Sequence, residues 1–599
     1  MTRRAPSLIF TVPLAIVVLF SIPVFCQGQY FTDETDIRIP QISAICSSAD
    51  AADVDGDGDW DVAGISWVAI PPYISYFMFL NDGNGYFNLP QEAMLPDTAL
   101  LTTGLGFGDI DNDKDYDLYV ISEHSQDLLY INNGLGFYSN ETEQRLPHLE
   151  CDNVSFAYGD YTGDNSLDII VICGHSNGLN QFLVNDGFGY YEDITDQRMP
   201  PDSIRDIYGY SVDLDNDLDL DLLLAWNDGT WGHIRGLENQ NGYFSIIADS
   251  IIQDRKARWI EAADIDNDLD LDIIISGITS LGLLVNYNNV FIDESDERIP
   301  YNGEGVCMIG IGDYDNDGDL DIYGGYSNDI EDHLFINNGN GFFEIADDRI
   351  PDMRASTRWP EAFDADGDGD LDLFLGCTGD GQQRLLINHS TPDSIPPVLL
   401  AQGLPMGGID SLGEYQCKIS AYDNISVAKG ALVPTIYYRI NDGEFIEDTL
   451  VYCGGTIYGC YIPGQAVGGQ IDYYIDIRDQ MNNFIISPPS APDSLYSFNV
   501  LPPTGINDVR GVSDGMYLQV YPNPSNGSFT VTYDAGQESQ LNIYDVTGRQ
   551  LYSERLPGSD SGQRGTWRWS GWDSLPSGIY FIELGGADRK EVKKALLIR

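Results

Sequence analysis

Seven Asp-rich nonapeptides recur in one phase along the chain, beginning at Asp53, Asp109, Asp160, Asp213, Asp264, Asp313 and Asp364. They lie 49 to 56 residues apart, and a fixed period of that length marks a repeat architecture in which each unit buries its apolar face against the next. Six loops carry Asp at positions 1, 3, 5, 7 and 9, as in Asp313-Tyr-Asp315-Asn-Asp317-Gly-Asp319-Leu-Asp321, while the third has Thr162 and Ser166 at positions 3 and 7. Alternate carboxylates in a short loop repel one another unless a hard cation gathers them, and Ca²⁺ takes about six to eight oxygen ligands. Position 4 is Gly56, Asn112, Gly163, Asn216, Asn267, Asn316 or Gly367, and these residues enter the left-handed region most easily. Seven loops that turn at one point argue for chelation against a merely solvated acidic turn. Position 6 is less regular: Gly58, Gly318 and Gly369 in three loops, but Lys114, Asn165, Leu218 and Leu269 in the others.

The segments between loops alternate apolar residues at period two, as in Leu220-Asp-Leu222-Leu-Leu224 and Leu271-Asp-Ile273-Ile-Ile275, which is a strand pattern. Tight Asn/Gly turns follow at Asn81 to Gly85, Asn132 to Gly136, Asn185 to Gly189 and Asn337 to Gly341, then aromatic strands that run to Arg-x-Pro corners. Four strands per repeat make one propeller blade. The seventh repeat lacks its last strand, and Gly28-Gln-Tyr-Phe31 leading to Arg38-Ile-Pro40 supplies the missing piece. The N-terminal strand is therefore expected to close the ring. The fold expectation is all-β: a seven-bladed β-propeller at 27–394, an Ig-like β-sandwich at 395–500 and a small C-terminal β-sandwich at 515–599.

The loops and Gly/aromatic hairpins resemble the FG-GAP, or VCBS, repeats of integrin-α-like propellers. That resemblance implies up to seven structural Ca²⁺ ions, held by side chains at positions 1, 3, 5 and 9 with the carbonyl of position 7. The implied ligands are Asp53, Asp55, Asp57 and Asp61; Asp109, Asp111, Asp113 and Asp117; Asp160, Asp164 and Asp168; Asp213, Asp215, Asp217 and Asp221; Asp264, Asp266, Asp268 and Asp272; Asp313, Asp315, Asp317 and Asp321; and Asp364, Asp366, Asp368 and Asp372.

Segment 395–500 lies between Pro396-Pro397 and Pro502-Pro503 and resembles the Ig-like or fibronectin-like modules of bacterial exoproteins, which reads as a spacer. Near the C-terminus, Val520-Tyr-Pro-Asn-Pro524, Leu541 to Arg549, Leu575 to Glu583 and a basic tail through Lys590, Lys593 and Lys594 resemble, in that order, the type A sorting domain of the type IX secretion system. This implies handling by that machinery and passage through the periplasm and outer membrane of a Gram-negative bacterium, to the medium or the cell surface. Residues 1–26 read as an export signal, with Arg3 and Arg4 before an apolar run. An uncleaved anchor is countered by Pro13 and Pro23, and lipidation of Cys26 by the bulky Phe25 before it. No membrane insertion is expected after signal cleavage.

The formal charge of −64 over 599 residues repels phosphate backbones and anionic headgroups, which excludes nucleic acid as a partner. The nine Cys form no dense framework; by position Cys151 can reach Cys173 and Cys46 can reach Cys377, as disulfides or as buried thiols. The six His are isolated from catalytic motifs, and residues 27–394 hold only Lys114 and Lys256 with twelve Arg, a poor supply for a phosphate pocket. One pair of sites exceeds the repeat pattern: Arg258, Trp259 and Glu261 before the fifth loop, and Arg358, Trp359 and Glu361 before the seventh. Trp226, Trp231, His124 and His175 fall in loops on the same face. Aromatics with Arg and Glu suit a glycan or an extracellular protein ligand; the plainer alternative packs each Trp between blades and pairs each Arg with its own Glu. An exported calcium-binding propeller used for binding or adhesion, with a glycan or protein as ligand, is the reading favoured over the rival, a secreted polysaccharide-degrading enzyme built on the propeller.

Overall fold

The computed structural model describes residues 30–501 and strand segments between 517 and 597, apart from the stretches 43–44, 68–73, 97–101, 123–124, 150–152, 175–178, 202–203, 228–231, 249–250, 253–254, 278–280, 301–305, 327–329, 355, 379–381, 405–406, 411–413, 425–431 and 466–468. The export signal, the linker after 501, Cys26, Cys151, His124, His175 and Trp231 lie outside the described residues.

In every repeat the ninth residue of the Asp loop is also the first residue of the next strand: Asp61, Asp117, Asp168, Asp221, Asp272, Asp321 and Asp372 each open one. The strand entering the loop and the strand leaving it pair antiparallel, as Asp206–Val212 pairs with Asp221–Asn227 and Trp259–Ala263 with Asp272–Ser276. Two more strands extend the sheet outward, so that blade 4 reads Asp206–Val212, Asp221–Asn227, Gly232–Asn239 and Phe244–Ile246. Among the described residues before 398 there are seven such sheets, and their loop-entering strands neighbour one another in a cycle. In the first sheet the fourth strand is reduced to a single bridge between Leu80 and Asn88.

Closure follows the sequence expectation. Thr32–Asp33 pairs with Arg384–Ile387 and becomes the outer strand of blade 7. Phe31 is fully buried against Tyr314, Tyr323, Leu371 and Leu386, in the layer between blades 6 and 7. Apolar side chains of the other blades also pair off in layers between neighbours, for example Ile172, Phe182, Leu222 and Leu224 between blades 3 and 4. Each blade is thus amphipathic on both faces and stable only with its neighbours.

The expected Arg-x-Pro corners contain one helical turn not read from the sequence, at Thr35–Arg38, Thr142–Arg145, Thr195–Arg198 and Ser295–Arg298, with a 3₁₀ turn at Asp347–Arg349. Each ends on the Arg.

Residues from 398 form two sheets. One contains Val398–Gly403, Tyr415–Tyr422, Ile457–Ile462 and Val451–Gly454; the other is built around Gln470–Arg478, flanked by Thr435–Ile440 and Tyr496–Leu501. Tyr415 and Phe498 join the two faces with ring centroids 4.9 Å apart. This sandwich does not stand free of the propeller: the two form one compact unit. Tyr422 belongs to the core layer between blades 5 and 6, Cys453 and Ile457 to that between blades 3 and 4, and Met481 packs on that between 6 and 7. The contact lies on the Asp-loop face. The hairpin carrying Tyr452 and Tyr458 enters so closely that a Cβ at Gly454 would lie 2.7 Å from Gly159 Cα, and Gly454 also has φ +100°, so only glycine fits this insertion. Burial raises the Tyr452 phenol well above its ordinary range, with Tyr210, Tyr116 and Asp50 of three blades near enough to add to the effect.

The second unit holds the C-terminal strands, in one sheet of Tyr517–Tyr521, Phe529–Asp534 and Gly565–Trp569 and another of Gln550–Leu556, Ser539–Asp545, Gly578–Gly585 and Lys590–Leu597. Among the described residues no helix is long and apolar enough to cross a membrane.

Of the cysteine pairs weighed above, Cys173 is disulfide-bonded. Cys46 and Cys377 are buried thiols, and burial, with Cys377 nearby, pushes the Cys46 thiol far up.

Candidate functional site

All seven loops have left-handed φ at position 4, from 54° at Asn316 to 79° at Gly163. Position 6 is left-handed in all seven as well, including Lys114 (77°), Leu218 (70°) and Leu269 (72°), so the turn survives where the glycine does not. The two turns aim backbone N–H groups inward. Asp53 accepts from Gly56, Asp57 and Gly58 at 2.8, 3.2 and 3.0 Å, and Asp364 from Gly367, Asp368 and Gly369 in the same way. A leucine in the left-handed region costs about 1–2 kcal/mol, and Leu269 is 50% exposed. Leu269→Gly is therefore expected to raise stability by about 1 kcal/mol, read as a higher denaturant midpoint; a lower midpoint would mean that the leucine packs usefully.

Position 9 pins the loop to the blade. Asp61 accepts from Val54 N at 3.1 Å and Asn81 N at 2.8 Å, and Asp372 from Ala365 N at 2.9 Å and Asn388 N at 2.8 Å. The same Asn reaches back one blade with its side chain: Asn132 Nδ2 donates to Val54 O, Asn185 to Ile110 O and Asn81 to Ala365 O.

Position 3 is held by the corner arginines, whose role sequence reasoning missed. Arg38 pairs with Asp366, Arg145 with Asp111, Arg298 with Asp266 and Arg349 with Asp315, at 2.8 to 3.2 Å. Each of the first three also donates to a carbonyl in the next blade's hairpin, at Asn84, Phe188 and Asn340. The signal was visible for three of them, since Arg145, Arg298 and Arg349 stand 32 to 34 residues after the aspartates they pair with, while Arg38 reaches Asp366 through closure of the ring.

In five loops one oxygen of the position-3 carboxylate remains. Oδ1 of Asp55, Asp111, Asp266, Asp315 and Asp366 is buried and has no hydrogen-bond partner, a costly arrangement unless something else sits there. Carboxylates of positions 1, 3 and 5 lie within 4.8 Å of one another in loops 1, 2, 4 and 5, and of positions 1, 3 and 9 in loop 6. Burial, reinforced by the neighbouring carboxylates, pushes Asp109 and Asp364 up to about 6, Asp213 and Asp313 to about 7 and Asp59 to about 7. Orphaned oxygens on clustered, desolvated carboxylates fit a hard divalent cation in loops 1, 2, 5, 6 and 7. Loop 3 does not fit: of its expected ligands, Asp160 is taken by the Lys418 ammonium, and positions 3 and 7 carry hydroxyls.

On the opposite face the two tryptophans meet each other, and each also packs between blades: Trp359 lies on the core layer between blades 7 and 1, and Trp259 stacks on the neighbouring blade 4. Trp259 of blade 5 lies edge-on to Trp359 of blade 7 with centroids 4.8 Å apart, and stacks on Tyr208 of blade 4 at 4.0 Å. Two residues on, where a strand returns to the same face, stand Glu261 and Glu361, both near enough to Tyr208 to raise its phenol further. Burial pushes Glu261 up to about 8. Arg258 and Arg358 are exposed, and no ion pair joins Arg258 to Glu261 among the described residues. Trp226 stacks on His233 at 4.6 Å, within blade 4.

With this geometry established, residues 109–171 and 285–375 match the FG-GAP-like repeat family. The fold and its loops define a β-propeller protein with FG-GAP-like repeats. Residues 519–598 match the secretion system C-terminal sorting domain; the chain is thus, more particularly, a propeller protein exported by the type IX secretion machinery to the cell surface or the medium. No curated protein matches the chain. Among solved structures, the Dos1 propeller is 12% identical, with 61% of this chain and 96% of that one covered at a TM-score of 0.37. PorZ of Porphyromonas gingivalis, an essential surface component of its type IX secretion system, is 12% identical over 96% of this chain and 85% of its own, with a TM-score of 0.20. Dimeric latent PorU of the same organism is 13% identical over 69% and 36%, with a TM-score of 0.15.

Proposed function

We propose that this exported propeller is a calcium-stabilised binding or adhesion protein that takes a glycan or an extracellular protein at the channel mouth formed by Tyr208, Trp259 and Trp359. The observation that carries the reading is the meeting of three aromatic rings from three separate blades, at the end of the strands opposite the Asp loops. Flat aromatic faces above buried carboxylates suit the apolar faces and hydroxyls of a sugar, or a protein side chain with one polar end. Calcium would be held by Asp53, Asp55 and Asp57 in loop 1 and by the equivalent residues of loops 2, 5, 6 and 7. When bound it supplies positive charge to carboxylates that otherwise repel one another. The chain's own residues do the rest: arginines fix position 3 in loops 2, 5, 6 and 7, and backbone N–H groups orient position 1.

One observation favours the enzymatic rival. At a pKa of about 8 Glu261 keeps its proton at neutral pH, as a general acid must, and Glu361 occupies the same phase on blade 7. A glycan array read beside a polysaccharide-cleavage screen separates the two. For the binding reading, Trp359→Ala is expected to weaken capture of the array ligand by about thirtyfold or more when measured well below the variant's melting temperature, which falls because Trp359 also packs on the layer between blades 7 and 1. Full retention of binding would move the site away from the mouth.

A further inference from the structure

In the degraded third loop, Thr162 and Ser166 replace two carboxylates while Asp160, Asp164 and Asp168 remain. The sandwich delivers Lys418 to this loop. Its ammonium lies 3.0 Å from Asp160 Oδ2, with the side chains 8% and 1% exposed. Three further contacts fasten the same spot: Gln416 Nε2 donates to Gly163 O at 2.7 Å, Tyr461 OH to the same oxygen at 3.3 Å, and Asp160 N to Cys453 O at 2.7 Å. Where the sandwich meets loops 5 and 6 it offers neutral groups instead. Tyr422 OH lies 3.5 Å from Asp264 Oδ2, and Asn424 Nδ2 donates to Asp313 Oδ2 at 3.1 Å. Those loops keep their full set of carboxylates. The corner arginine agrees with the difference, because Arg198 faces Thr162 instead of an aspartate and donates to Asn241 O of the next hairpin.

We infer that loop 3 is a socket for the chain's own cation: the Lys418 ammonium takes the place that a metal ion takes in the other loops, and pins the sandwich to the propeller without calcium. A buried ammonium and a divalent cation cannot share one carboxylate cluster, since their repulsion is not screened there. The loss of two carboxylates and the arrival of a lysine are then one change, in which a loop needing less charge received a cation of lower charge. A docking contact made this way persists when calcium is scarce, so the Asp-loop face stays covered. This inference rests on the calcium reading of the other loops, and the test separates the two.

The test is hydrogen–deuterium exchange on the full secreted chain, in calcium and in excess chelator, for the native protein and for Lys418→Met, which keeps the length of the side chain. In the native protein chelation is expected to speed exchange in loops 1 and 7 and leave loop 3 protected. In chelator, Lys418→Met is expected to speed exchange at 158–168 and 451–461 by about a hundredfold, as when one partner of a buried ion pair is lost. Exchange in native loop 3 that rises on chelation as it does in loops 1 and 7 would overturn the inference. Loops 1 and 7 that ignore the chelator would defeat the calcium reading alone, and the Lys418→Met result would still decide the socket. A variant with unchanged exchange at loop 3 would also overturn it, and Lys418→Arg, which keeps the charge, is expected to retain most of the protection.

Discussion

Removing residues 28–40 is expected to abolish cooperative folding of the propeller. The segment supplies the fourth strand of blade 7, through Thr32 and Asp33 paired with Ile387 and Leu386, and without it Arg384–Ile387 becomes an exposed sheet edge. The larger loss is apolar. Phe31 is wholly buried between blades 6 and 7, and Ile39 is 5% exposed between blades 7 and 1, so one short segment serves both flanks of the closing blade. Truncating a buried Phe to Ala alone costs about 3–5 kcal/mol, a large part of the roughly 5–15 kcal/mol that holds a domain folded. Arg38 goes as well, with its bond to Asp366 and its donation to Asn84 O of blade 1. Size-exclusion chromatography and denaturant unfolding test this: the truncated chain should aggregate or unfold without a single transition. Phe31→Ala, which leaves the strand in place, should stay monomeric with a lower midpoint. A truncated chain that is monomeric with an unchanged midpoint would mean that the ring holds without its N-terminal clasp.

Ring closure was legible before any coordinates because it is a matter of counting: one repeat lacks a strand, and the opposite end of the propeller segment has one to spare. The blades were legible for the same reason, since period-two alternation and turn residues are local signals repeated in phase. The docking of the sandwich was not. Lys418 meets Asp160 across 258 residues of sequence, and a lysine in a strand ordinarily reads as a solvated position. The degraded third loop was visible as a lapse in the pattern, but its meaning lay in a partner from another domain. The mouth falls between these cases. Phase placed Trp259 and Trp359 on one face, yet only the twist and closure of the sheets bring rings of blades 5 and 7 within 4.8 Å. In sequence the corner arginines mark turns, and their pairing with position 3 follows only from the corner folding back on its own blade's loop.

Excess chelator is expected to lower the melting temperature of the propeller by roughly 10 °C at pH 7.5. A site at one hundred times its dissociation constant contributes about 2.7 kcal/mol. Five fitting loops then contribute on the order of 13 kcal/mol, against an unfolding entropy of about 1 kcal/mol/K for some 470 residues. The pH dependence gives a sharper check, and its sign follows from the carboxylates. Without metal, burial and mutual repulsion raise Asp109 and Asp364 to about 6 and Asp313 and Asp59 to about 7, all above the value of about 3.9 in an unfolded chain. The folded state then binds more protons than the unfolded one between those limits, so the contribution of these groups is fully present below about pH 4 and is lost as pH rises through 6 to 7. In chelator the melting temperature should therefore fall from pH 5 to pH 8. With calcium in excess the fall should be much smaller, because the ion replaces the protons, and calcium affinity should rise over the same interval. Differential scanning calorimetry across that range reads both effects. Coincident curves with and without calcium at pH 8 would mean that backbone N–H groups and the corner arginines hold the aspartates unaided, and the metal assignment would fall.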